Sequence, residues 1–313
     1  MPLPHPLART ATVGIAAPAS APLAAADLDA GLDALRARGL RIARVRETIT
    51  PHGYLAGTDG ERLDELNALL RRDDLDAVFC VRGGYGVLRL LPGIDYDAAR
   101  AHPKLIVGYS DITALHFALW AKAGLPGLSG PMLAPDWPHL DAETEAQFWT
   151  LAEGHAPVEI VGPGGEALDP VRPGRAEGVL LGGNLVMICT LLGTPYLPDL
   201  KGAILFLEEV GEPPYRVDRL FAQLKLAGIL DNLGGLVLGG FTGADPPENR
   251  PSLSLDEVLD DYTRDLPYPV ARGLVYGHFR RKSTLPVGVR ARLAVEGATA
   301  ALTVLDPVTA PLR

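Results

Sequence analysis

The chain has 313 residues, 47% of them hydrophobic and 21% charged, and its 29 Lys and Arg against 38 Asp and Glu leave a net charge of −9. At roughly 150 residues per domain this length suits two domains and a cleft between them, while the acidic balance speaks against a nucleic acid or an anionic membrane surface, which need clustered positive charge. Cys80 and Cys189 stand far apart in apolar runs with no Cys-x-x-Cys spacing, which excludes a disulfide scaffold or structural zinc site as the organising idea and reads both thiols as core residues.

Residues 10–26 are uncharged but broken by Pro18 and Pro22, and residues 178–198 by Gly182-Gly183-Asn184 and Pro195, so neither stretch reads as a membrane span. Arg9, the apolar residues after it and Ala24-Ala25-Ala26 resemble a signal peptide with a small-residue cleavage site. The prolines interrupt the apolar region, however, and residues 13–17 followed by Pro18-Ala19-Ser20 fit a buried first strand and its loop better. Further apolar runs at 42–45, 77–81 and 105–108 alternate with helical patterns at 27–38, 58–71 and 111–123, the signature of an α/β layer around a largely parallel sheet. The helix from Thr58 is the best signalled: Thr58 caps it, Glu61 completes a capping box, and Leu63, Leu66, Leu69 and Leu70 form its apolar face.

From 153 to 175 the periodicity lapses into Gly and Pro, which predicts a linker between an α/β domain over 1–152 and a second domain over 176–313. The second domain is predicted to be β-rich, with apolar runs at 203–207, 235–238, 274–276, 292–295 and 301–305 and one strong helix at 215–228. Glu296-Gly297-Ala298-Thr299 joins the last two runs as a hairpin.

Four segments carry chemistry. The run at 105–108 turns at Gly108-Tyr109-Ser110 into a helix, which exposes a serine hydroxyl beside helix-start N–H groups in the manner of a nucleophile elbow, although Ile112 stands where a second glycine would complete that pattern. An N-cap serine is the plainer reading. Arg82-Gly83-Gly84-Tyr85-Gly86 follows a strand directly and allows the close backbone approach that an anion or oxyanion needs; its spacing is not that of a dinucleotide loop. A serine nucleophile requires a base. His116 lies about 240° around the helix from Ser110, five other histidines sit in loops beside Pro or Gly, and His278 follows the apolar run 274–276, which makes it the candidate. Glu208 leaves a continuous apolar strand with Glu209 pointing to the opposite face, so only one of the two can orient the histidine; a structural ion pair to Arg216 or Arg219 is the competing role for either.

Taken together, Arg82-Gly-Gly-Tyr-Gly86, Gly108-Tyr-Ser-Asp-Ile-Thr113, Gly182-Gly-Asn184, Leu207-Glu-Glu209 with Pro213-Pro-Tyr-Arg-Val-Asp218, and Gly277-His278 resemble the LD-carboxypeptidases. These are the serine peptidases of murein-peptide recycling, whose family also holds the microcin C self-immunity peptidases. The resemblance runs from Val13 to the last hairpin. It implies an N-terminal Rossmann-like domain carrying Ser110, a C-terminal β-rich domain carrying Glu208 and His278, and an oxyanion hole from the backbone N–H groups of Gly84 and Asp111. It further implies a cytoplasmic homodimer acting on a murein peptide without metal or cofactor. Arg82, beside the glycine-rich loop, is the candidate cation for the substrate's terminal carboxylate. The chain has no long aromatic-rich insertion for stacking a nucleobase, which favours a murein peptide over a sulfamoyl-adenylate. A small-molecule binding protein without turnover is the alternative of another class.

Overall fold

A computed structural model describes residues 3–246 and 251–310. In chain order the first half runs β1 (Thr12–Ala16), α1 (Ala25–Ala37), β2 (Arg41–Arg44), α2 (Asp59–Arg71), β3 (Ala77–Cys80), α3 (Val87–Leu90), α4 (Tyr96–Ala101), β4 (Leu105–Val107), α5 (Ile112–Ala123), β5 (Gly127–Ser129) and α6 (Ala142–Ala152). The second runs β6 (Val158–Glu159), β7 (Asp169–Arg172), β8 (Gly174–Asn184), α7 (Leu185–Thr190), β9 (Ile204–Val210), α8 (Pro214–Leu226), β10 (Gly235–Thr242), α9 (Leu255–Thr263), β11 (Val270–Arg272), β12 (Leu285–Val287), β13 (Val289–Glu296) and β14 (Thr299–Val304).

Two sheets organise these elements, a six-stranded one in the order β12-β5-β4-β3-β1-β2 and an eight-stranded one in the order β6-β14-β13-β8-β9-β10-β11-β7. The protein is thus a mixed α/β fold. In the first sheet β1 to β5 are parallel and β12 is antiparallel. The N-terminal segment forms the strand that its sequence pattern predicts, and β1 lies between β3 and β2. The parallel part follows the doubly wound order 2-1-3-4-5, which gathers the loops after β1, β3 and β4 at the strands' carboxyl ends, beside the switch point where ligands bind in such sheets. In the second sheet β8, β9, β10 and β11 are parallel as well.

Local chemistry explains the elements that the sequence signals. Thr58 accepts the Glu61 N–H while the Glu61 carboxylate accepts the Thr58 N–H, closing the capping box of α2. β13 and β14 form the hairpin, with Glu296 facing Thr299 across a two-residue turn. Both cysteines are buried, and burial pushes both thiols up, Cys189 to about 12.

Three expectations change. The stretch read as a linker contributes β6 and β7 to the second sheet, because short edge strands need only one ladder and tolerate Pro170 on the open side. β12, from the second half, closes the edge of the first sheet against β5, so the two halves interlock. The run 274–276 is not a strand: β11 ends at Arg272, and Gly273 at φ +77° turns the chain out of the ladder. The segment still returns toward β10, since Leu274 N donates to the Leu238 carbonyl and Gly240 N to that of Tyr276.

Candidate active site

Ser110 sits where β4 gives way to α5, at φ +63°, the only non-glycine residue with positive φ among the described residues. Holding a serine there costs about 1–3 kcal/mol, and such strain survives where the surroundings fix it. His116, which sequence geometry turns away from Ser110, lies inside the fold with its Nε2 2.9 Å from the Gly108 carbonyl, bracing the turn from below. Burial lowers its pKa to about 4, so it is a neutral structural residue.

His278 lies in the loop after β11, and its Nε2 is 3.1 Å from Ser110 Oγ. Its Nδ1 is 2.8 Å from Glu208 Oε2. Glu208, fully buried on β9, also accepts from Asn184 Nδ2 through its other oxygen at 3.2 Å. The structure therefore brings together the three residues that the sequence nominates, and of the two glutamates it is Glu208 that meets the imidazole. Glu209 faces the other way, where it accepts from Asn184 Nδ2, Val186 N and Val210 N at 2.8–3.0 Å. Burial raises its pKa despite those bonds. Neither glutamate pairs with Arg216, which instead meets Glu212.

The glycine-rich loop after β3 stands over this row. Ser20 anchors it from the β1 loop, donating its N–H to the Gly83 carbonyl and accepting the Tyr85 N–H at Oγ. The fully buried Arg62 donates to the Gly86 carbonyl at 3.1 Å, and Asp111 Oδ2 accepts the Val87 N–H at 2.9 Å. Asp111, the residue after the candidate nucleophile, thus ties the loop to the start of α5, and burial raises its pKa from 3.8 to about 6. Among the described residues, neither the Gly84 nor the Asp111 backbone N–H has a protein acceptor, which leaves both free for an oxyanion. Ser110, Asp111, Gly84, His278, Glu209 and Arg82 line one cavity of about 640 Å³. Arg82 donates from Nη1 to the Ala21 carbonyl at 3.1 Å, so one end of its guanidinium is fixed at the cavity wall.

Sequence reasoning missed three contributors. Asn184 bridges both glutamates and accepts the Met187 N–H, while its own N–H donates to Thr113 Oγ1 on α5 at 3.0 Å. Its motif was visible; its role depends on β8 and α5 meeting, which no local pattern encodes. Lys282 and Asp136 form a buried pair at 2.7 Å beside Tyr109, which no local pattern in the sequence encodes. No cluster of three or more His, Cys, Asp or Glu side chains among the described residues could hold a metal ion, and no helix among them is long and apolar enough to cross a membrane.

Comparison with known proteins gives the lineage. Residues 13–130 match the LD-carboxypeptidase N-terminal domain and residues 177–293 the LD-carboxypeptidase C-terminal domain. The probable murein peptide carboxypeptidase of Bacillus subtilis is 38% identical over 304 residues, covering 96% of this chain and 93% of that protein. The microcin C7 self-immunity protein MccF of Escherichia coli is 32% identical over 289 residues, covering 83% of each. The crystal structure of muramoyltetrapeptide carboxypeptidase from Oxalobacter formigenes superposes with a TM-score of 0.84 at 33% identity, over 96% of this chain and 100% of that one. With both of that family's domains matched, over residues 13–130 and 177–293, the chain belongs to the LD-carboxypeptidase family of peptidases.

Proposed function

We propose that the protein is a serine LD-carboxypeptidase that removes the terminal D-alanine from murein tetrapeptides. The observation that carries the reading is the continuous hydrogen-bonded row Ser110 Oγ, His278 Nε2, His278 Nδ1, Glu208 Oε2, lying beside two unspent backbone N–H donors in one cavity. In this reading Ser110 Oγ attacks the carbonyl carbon of the L-residue as His278 Nε2 takes its proton. The N–H groups of Gly84 and Asp111 receive the oxyanion. The C–N bond then breaks, with His278 returning the proton to the amine of the leaving D-alanine. Water, deprotonated by the same imidazole, frees the acyl group and restores Ser110. Glu208 holds the imidazole in the tautomer that leaves Nε2 free to accept. Arg82 receives the terminal carboxylate from the cavity wall. The family resemblance adds a cytoplasmic homodimer working in peptidoglycan recycling, a subunit count that light scattering checks.

The likeness to MccF supports a second reading, hydrolysis of an aminoacyl or peptidyl sulfamoyl-adenylate. Comparing kcat/KM on a murein tetrapeptide, its C-terminal amide, its L-alanine epimer and a glutamyl sulfamoyl-adenylate separates the two. The expected order puts the tetrapeptide first, with the amide and epimer at least tenfold lower. A sulfamoyl-adenylate preferred over every peptide reverses the assignment, and binding without turnover of any of them makes the protein a binding protein.

A further inference from the structure

Ser110 and His278 are 168 residues apart in sequence, yet their side chains meet at 3.1 Å. The loop that carries His278 has no regular structure of its own, because residues 273–284 form neither helix nor strand. Glu208 on β9 holds the imidazole at Nδ1, and the loop needs a second anchor to keep the ring against the elbow. Four residues past His278, Lys282 turns into the interior and is 1% exposed. Its Nζ donates to the Tyr109 hydroxyl and to Asp136 Oδ1, each at 2.7 Å, and lies 4.0 Å from the centre of the Tyr109 ring. Tyr109 directly precedes Ser110, and its ring meets the His278 imidazole edge-on with centroids 5.2 Å apart. The second Asp136 oxygen accepts the Met132 N–H at 2.8 Å, which fixes the carboxylate.

Among the described residues the loop's other Lys or Arg ion pair is Arg281 with Glu143, but both partners are about half exposed or more. Solvent screens such a pair, and it defines geometry weakly. A buried pair is different: it adds little net stability over an apolar pair of the same volume, but its direction is fixed. Burial draws the Lys282 ammonium below the ordinary lysine pKa, and Asp136 opposes that pull.

We propose that Lys282 is a positioning residue, which by bridging Tyr109 and Asp136 sets the register of the His278 imidazole against Ser110 across the two halves of the molecule. The proposal rests on the reading of Ser110 and His278 as nucleophile and base. It requires that replacing the pair by apolar residues leave the fold and substrate binding in place while reactivity falls.

Lys282→Met alone strands Asp136 in the interior, so the deciding variant is Lys282→Met with Asp136→Leu. It is compared with wild type, with Ser110→Ala as blank and Arg281→Ala as control, for kcat and KM on a murein tetrapeptide and for the rate at which a fluorophosphonate probe labels Ser110. The expected result is a folded double variant with KM within about threefold of wild type and with kcat and labelling rate both reduced about 100-fold, the loss typical of an ångström-scale misplacement. Arg281→Ala should stay within threefold throughout. A folded double variant that labels and turns over within threefold of wild type overturns the proposal, and one that does not fold overturns it by making the pair a determinant of the fold. If wild type labels at Ser110 but cleaves no murein peptide, the substrate reading fails and the labelling rate alone decides the role of Lys282. If Ser110 in wild type takes no label, both fall.

Discussion

Two adjacent glutamates on β9 illustrate how much a single residue's environment decides. Glu208 meets His278, whereas Glu209 spends its oxygens on Asn184 and the backbone at Val186 and Val210. Glu208→Gln puts an amide where a carboxylate should fix the imidazole tautomer, and kcat is expected to fall about 10³- to 10⁴-fold, the scale of that change in other triads. Glu209→Gln is expected to lower kcat less than tenfold. Equal losses for the two would deny Glu208 its special place. Asp111 offers a separate test through stability. Its carboxyl binds a proton more tightly in the folded protein, at about 6 against 3.8, so the stability it confers is full below pH 4 and is lost as pH rises through 6. That rise corresponds to roughly 3 kcal/mol. Asp111→Asn keeps an oxygen for the Val87 N–H and lacks the ionisation. Its stability relative to wild type, followed by urea unfolding, is therefore expected to climb between pH 4 and pH 6 and level off above; a difference independent of pH would contradict the assignment.

At the scale of elements, the contact between β8 and α5 sets the distance between the sheets. Gly183 approaches α5 so closely that a Cβ there would collide with Thr113, the same residue whose hydroxyl receives the Asn184 N–H. With φ at +144°, Gly183→Ala adds backbone strain to that collision and is expected to destabilise the protein by about 1–3 kcal/mol, read as a lower urea midpoint. An unchanged midpoint would mean the two elements can part freely. Sequence exposed those elements whose signal is local: the capping box of α2, the turn of the last hairpin, the strand-to-helix step at Ser110. It hid β5 and β12, three residues each: β12 becomes a strand only by pairing with β5 about half the chain away, and β5 only between β12 and β4. It also mistook 274–276 for a strand, because a buried apolar run satisfies the same pattern whether or not it joins a ladder. Ser110, His278 and Glu208 were legible as candidates because each stands at or just after the end of an apolar run. Their supports, Asn184, Asp136 and Lys282, were not, since their meaning lies in contacts between distant segments.

For the molecule as a whole, two sheets containing parallel strands direct their functional loops to one cleft. Ser110 and the glycine-rich loop come from the first sheet, Glu208 and Asn184 from the second, and His278 from the loop that leads back to β12. Interlocking of the halves through β12 gives this arrangement rigidity that a simple tether between domains would lack. The central claim is that Ser110 performs the hydrolysis, and mass spectrometry of a murein tetrapeptide incubated with wild type and with Ser110→Ala, each in the presence of a metal chelator, tests it most directly. Loss of one D-alanine with wild type alone is the expected result. Equal loss with Ser110→Ala would show that another group carries the reaction and would contradict the account.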